Sequence, residues 1–103
     1  MIKSTLSAFL TNDELNRLRE NESESGELQL TVDVHGLHCN ETKKYLNNMI
    51  NASRKSFLLV VIHGYNHGTA IKEMLAYDFS NSHVVRKYSD SCNYGVTYMQ
   101  IAA

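Results

Sequence analysis

Val32-Asp33-Val34-His35-Gly36 and Val60-Val61-Ile62-His63-Gly64 end alike, each an apolar run that stops in His-Gly, and each reads as a β-strand with a turn at its end. From Leu28 the pattern has period two. Leu28, Leu30, Val32 and Val34 point one way and Gln29, Thr31, Asp33 and His35 the other, so Asp33 and His35 share a face at the strand's carboxyl end. Between the two runs, Asn40 to Ser53 sets Thr42, Tyr45, Leu46, Met49 and Ile50 on one stripe, with Lys43, Lys44, Asn47, Asn48 and Asn51 opposite. That is an amphipathic helix. Strand, helix and strand make a parallel crossover unit, which brings both His-Gly pairs to one edge. In open α/β sheets, ligands bind outside the carboxyl ends of parallel strands, so function is expected at that edge.

The rest of the chain extends the unit. Phe57 to Ile62 is continuously apolar, as in a central strand covered on both sides or nearly so. Gly68 to Tyr77 carries Ile71, Met74 and Leu75 as the inner side of a second helix, and Val84 to Tyr88 and Val96 to Ile101 are two more strands joined as a hairpin. The order is β-α-β-α-β-β, an α/β fold. Upstream, Thr11 and Glu14 form a capping box with Leu15 and Leu18 at helical spacing, predicting a helix over 12–20. Asn21 to Gly26 is polar and reads as a linker. Residues 1–26 are thus an N-terminal helical extension and linker, and 27–103 the functional domain.

Length and charge narrow the classes. A chain of 103 residues holds one core. No apolar run approaches the roughly 20 residues of a membrane span and no secretory leader is visible, so a cytoplasmic protein away from the membrane is expected. Cys39 and Cys92 lack C-x-x-C spacing and read as reduced thiols near the core. Residues 1–27 carry Lys3, Arg17 and Arg19 against six acids, so with a total charge of −1 the remainder has a mild excess of base. That suits a polyanion without identifying one.

Val32-Asp33-Val34-His35-Gly36-Leu37, His63-Gly64-Tyr65-Asn66-His67-Gly68 and Asn93-Tyr94-Gly95-Val96-Thr97 together resemble the small MutS-related (Smr) domain. That family is marked by an L-D-x-H-G opening, a central H-G-x-G or T-G-x-G loop and a closing G-x-T strand. The likeness covers roughly residues 28–102, with Asn66 standing at the loop's middle glycine. It implies a two-layer α/β sandwich on a four-stranded mixed sheet, similar to the carboxyl-terminal domain of bacterial translation initiation factor three. It also implies a nucleic-acid partner, because Smr domains include DNA-nicking and RNA-cleaving endonucleases. Some act at stalled or collided ribosomes, which makes ribosome association an expectation.

Phosphodiester cleavage requires a base, an acid and stabilisation of phosphate charge. The candidates are Asp33, His35 and His63 for catalysis, with His35 or His63 activating a ribose hydroxyl or water and Asp33 orienting an imidazole. Gly36, His38, Gly64, Tyr65, His67, Gly68 and Lys72 are the candidates for substrate binding, the backbone of Gly64 to Gly68 and the Lys72 ammonium facing phosphate. The preferred route requires no cofactor. The alternative has Asp33 holding Mg²⁺ or Mn²⁺. Tyr65 and Tyr94 are candidates to stack on unpaired bases, and Lys43-Lys44, Arg54-Lys55 and Arg86-Lys87 to track phosphates. An endonuclease acting on RNA in preference to DNA, as a monomer, is the reading that follows. A non-catalytic nucleic-acid-binding module using the same edge is its alternative.

Overall fold

A computed structural model of the chain describes residues 5–22, 26–64, 70–89, 92–93 and 95–103. Its elements are α1 (Asn12–Asn16), β1 (Leu18–Glu22), β2 (Leu28–Asp33), α2 (Cys39–Ser53), β3 (Phe57–Ile62), α3 (Ala70–Glu73), a π-helical turn over Met74–Asp78, β4 (Val84–Ser89) and β5 (Val96–Ile101). The strands form one mixed sheet in the order β1-β2-β3-β5-β4. β2 and β3 are parallel, with Asp33 opposite Ile62. β5 runs antiparallel to both β3 and β4. The crossover and the closing hairpin therefore stand as the pattern of residues predicts.

Alternation decides where the core lies. Leu30, Val32, Phe57, Leu59, Val61, Met99 and Ile101 are buried on one face, under the α2 stripe of Thr42, Tyr45, Leu46, Met49, Ile50 and Ser53. Met74, Leu75 and Phe79 complete this core. The opposite face carries Gln29, Thr31 and Asp33 of β2, and Leu58, Val60 and Ile62 of β3, in matching rows. Of these only Val60 is fully buried. The unbroken apolar run of β3 is therefore a strand covered by helices on one side, with Leu58 and Ile62 only half-buried on the other.

Two expectations are corrected at the amino end. The sheet has five strands and not four, because the expected helix over 12–20 stops at Asn16 and Leu18–Glu22 pairs antiparallel with β2. The Thr11 and Glu14 capping box is present, each side chain accepting the other's backbone N-H at 3.1 and 2.9 Å, but helix propensity is a weak force beside the unfilled edge of β2. Pairing satisfies that edge and puts Leu18 against Val32, where it is buried. Leu6 and Leu10 join the same core cluster, and the Tyr45 hydroxyl donates to the Glu14 carbonyl at 2.6 Å. Residues 5–22 are thus part of the fold rather than an extension. A radius of gyration of 12.7 Å, against about 13 Å for a compact chain of 100 residues, agrees with a single unit.

The second helix is also altered. Among the described residues it is α-helical over Ala70–Glu73 and then widens, with the Phe79 N-H donating to the Met74 carbonyl at 2.7 Å. A π turn brings residues five apart over each other, and Met74 and Phe79 are both buried. Lys87 closes the turn by donating to the carbonyls of Leu75 and Phe79.

Leu18→Ala tests the status of the amino-terminal strand. Deleting a fully buried leucine should lower the unfolding free energy by about 2–4 kcal/mol in urea titrations; a change within about 0.5 kcal/mol would mean that the segment is a surface appendage.

Candidate functional site

β2 ends at Asp33, and the chain then turns through Gly36, whose φ of +82° is a left-handed conformation that a side chain disfavours. The turn folds His35 back over Asp33. Asp33 Oδ1 accepts the His35 backbone N-H at 3.1 Å and lies 2.5 Å from His35 Nδ1. Both side chains reach solvent, at 65% exposure for His35 and 41% for Asp33. Partial burial pushes the Asp33 carboxyl up, but hydrogen bonds from the His35 ring and backbone, with the charges of His35 and Arg17, outweigh it and hold the net pKa below the ordinary value of 3.8. An ionised carboxylate only accepts, so Nδ1 carries a proton, and Nε2 is the nitrogen that can act as a base.

Arg17, in the segment whose sequence reads as an extension, braces this turn. Its Nη1 donates to the carbonyls of Asp33 and His35 at 3.1 and 3.2 Å, and its Nε to Asp13 Oδ2 at 3.0 Å. The Asp33 N-H also donates to the Arg17 carbonyl. Sequence carried one weak sign of this, an arginine at the end of a capped turn; the contact itself depends on β1 lying beside β2.

The two His-Gly motifs share the edge but are displaced by one residue in register. Asp33 pairs with Ile62, so His63 falls level with Val34 and turns inward, while His35 falls level with Gly64 and turns outward. A Cβ placed on Gly64 would lie 3.9 Å from that of His35. The His63 ring is buried, its Nδ1 donating to the Gly64 carbonyl and its Nε2 bonded to Thr97 Oγ1, each at 2.9 Å. Burial, helped by the charge of Lys72 and opposed by the bond to Gly64, lowers its pKa below 6.5. The structure therefore brings Asp33 and His35 together and places His63 across the sheet from Asp33, with both ring nitrogens engaged. Thr97 stands out as its partner although sequence gave it no role. Its inward position on β5 was the available signal, since a buried hydroxyl needs a bond.

The remaining candidates divide. His38 precedes α2 and is exposed, and its N-H donates to Glu41 Oε1 at 3.1 Å. Gly36 lies in the exposed turn. Lys72 lines, with Thr97, Lys87 and Tyr88, a groove of about 410 Å³ on the helix side of the edge. The Gly64 N-H donates to the Gly95 carbonyl at 3.1 Å, as does that of His63 at 2.9 Å, so it faces β5 and not a phosphate. Tyr65, His67, Gly68 and Tyr94 lie outside the described residues. The basic pairs do not form one track: Lys87 is committed to carbonyls, Arg54-Lys55 lies at the far end of α2, and Arg86 is on the open face of the sheet. His83 bonds the Ala102 carbonyl at the opposite end of the sheet. Neither cysteine is in a disulfide, and Cys92 is exposed rather than near the core. Among the described residues no three of His, Cys, Asp and Glu converge as a metal cluster, and no helix is long and apolar enough to cross a membrane.

Fold and site define a small α/β protein with a solvent-facing histidine-carboxylate pair at the carboxyl edge of its parallel strands. No known family model matches the chain, and no curated protein matches it.

The buried His63 sets a pH dependence. A folded pKa below 6.5 means that the unfolded chain binds this proton more readily, so stability is full above about pH 6.5 and falls as pH drops through the folded value. Urea midpoints of the wild type should decline between pH 7 and pH 5, and those of His63→Gln should decline less; equal slopes would remove His63 as the source.

Proposed function

We propose that the chain is a nucleic-acid endonuclease of the Smr type that cleaves RNA, with His35 as the base and Asp33 as the group that orients it. The observation that carries this reading is the exposed Asp33-His35 pair, in which the carboxylate fixes the ring's tautomer and leaves Nε2 facing solvent. The geometry has the logic of a base held by a third group, which sets both direction and protonation before substrate arrives. Nε2 takes the proton of a ribose 2′-hydroxyl, the freed oxygen forms a bond to phosphorus, and the bond to the 5′ oxygen breaks. The leaving oxygen takes a proton from water. The products are a 2′,3′-cyclic phosphate and a 5′-hydroxyl. The amino end of α2, which opens four residues after His35, supplies a favourable field for the phosphate.

His63 has a different part in this scheme. Bonded to Thr97 and to the Gly64 carbonyl, it fixes the ends of β3 and β5 on either side of the site. A metal route through Asp33 competes with the bond from His35 to the same carboxylate, and the two routes are separable. Purified protein incubated with labelled single-stranded RNA should cut it in the presence of chelator, leave a cyclic phosphate, and fail on a strand lacking the 2′-hydroxyl at the cut position. His35→Ala should slow cleavage by about 100-fold or more, and Asp33→Asn comparably, since an amide can present a donor to the ring and reverse its tautomer. Chelator-sensitive cutting of an all-deoxy strand would establish the metal route instead. A wild type that binds RNA and DNA but cuts neither would reduce the site to a binding module.

A further inference from the structure

Cross-strand register arranges the open face of the sheet into rows. Arg19, Thr31, Val60, Tyr98 and Tyr88 form one, Asn21, Gln29, Leu58, Gln100 and Arg86 a second, and Asp33, Ile62 and Val96 a third at the carboxyl edge. Tyr88 and Tyr98 stack with ring centroids 5.1 Å apart and planes 13° from parallel. That separation is close to the spacing of neighbouring strands, so the two rings stand face to face across β4 and β5. The Arg86 guanidinium lies over the Tyr88 ring at 4.8 Å. The face is thus an aromatic pair bounded by an arginine, beside the apolar strip of β3.

Its charge is one-sided. Within the strands, the cations of this face are Arg19 and Arg86 and its acid is Asp33, whereas Glu20 and Glu22 pair with Leu30 and Leu28 on the helix side. A protein of net charge −1 therefore presents a locally basic, aromatic surface. Duplexes hide the flat faces of their bases, while unpaired bases expose them to stack on tyrosine and arginine planes. From Tyr98 to Asp33 is about 12 Å, two strands across and two residues along. A short single strand spans that distance.

We propose that the open sheet face is a stacking platform for single-stranded nucleic acid, with Tyr98, backed by Tyr88, holding a base on its side away from Tyr88, Arg19 and Arg86 holding phosphates, and the strand running on to the Asp33-His35 edge. The proposal rests on the nucleic-acid reading of that edge and adds to it the form of the substrate: unpaired bases are gripped on the face, and the scissile phosphate follows at the strand ends.

A fluorescein-labelled 2′-O-methyl oligouridylate, which cannot be cut by the route above, serves as the probe in anisotropy titrations. Tyr98→Ala should weaken binding by about fivefold or more, the effect of losing one stacked base, and Tyr98→Phe should retain it. Tyr98→Leu, which keeps the apolar cover of the sheet, should bind as weakly as Tyr98→Ala, and circular dichroism should show both variants folded. An abasic strand of equal charge should bind weakly to wild type and be indifferent to Tyr98→Ala, and a duplex should gain nothing over it. Wild-type affinity in Tyr98→Leu, or equal affinity for the abasic strand, would overturn the platform. So would a wild-type dimer that Tyr98→Leu converts to monomer with no binding of the probe, because the face would then be a contact between copies. Cleavage separates the two proposals. If Tyr98→Leu cuts RNA with unchanged KM the platform fails and the nuclease stands, and if wild type binds through Tyr98 but never cuts, the nuclease fails and the platform stands.

Discussion

The parallel register of β2 on β3 is the constraint on which the site depends. Because Asp33 lies opposite Ile62, the two strands end level, and the turn after β2 folds beside the end of β3. A slip of one residue would send Asp33 under the helices as an unpaired carboxylate and bring Val32 out to solvent. The register is held from three directions: the inward residues of β2 and β3 pack under α2, β1 closes the outer edge of β2, and β5 closes that of β3. Each of these contacts is remote from the chemistry. Together they leave the position of Asp33 no alternative.

The same register explains why two identical dipeptides have different properties. His35 follows the buried Val34 and emerges on the open side, where its ring meets a carboxylate and water. His63 follows the half-buried Ile62 and turns beneath the helices, where its ring meets a carbonyl and a hydroxyl. Desolvation disfavours the charged form of the second ring and lowers its pKa. A neutral buried imidazole with both nitrogens occupied stabilises the strand ends. An exposed imidazole with one nitrogen bound by a carboxylate is prepared to take a proton on the other.

Much of this was legible in the chain because it follows from periodicity. Alternation in β2 predicted that Asp33 and His35 share a face, and the helical stripe from Thr42 to Ile50 predicted what α2 buries. What escaped depended on partners distant in sequence. Leu18 sits at a spacing that suits a helix, and only the exposed edge of β2 draws it into a strand. Motif likeness grouped His63 with His35, since a short string records order and not the one-residue offset between two strands. Thr97 and Arg17 acquire their roles from bonds to residues 34 positions away and 16 to 18 positions away. The Tyr88 and Tyr98 pair was invisible for a similar reason: neither lies in a motif, and the stacking exists because β4 and β5 align them.

The amino-terminal segment shows how a domain of this size holds an exposed pair in place without disulfide support. The His35 ring and N-H are held by Asp33, and a turn containing glycine would otherwise lose its geometry to backbone entropy. Arg17 counters this by donating from one nitrogen to the carbonyls of both Asp33 and His35, which ties the two ends of the turn to one rigid fork. The fork is itself fixed by Asp13 at its Nε and by the strand that begins at Leu18. Burial of Leu6, Leu10 and Leu18 therefore contributes to the site as well as to the core, because the free energy that docks this segment also positions the guanidinium. The orientation of the His35 ring is in this sense a tertiary property, set by leucines that never approach it.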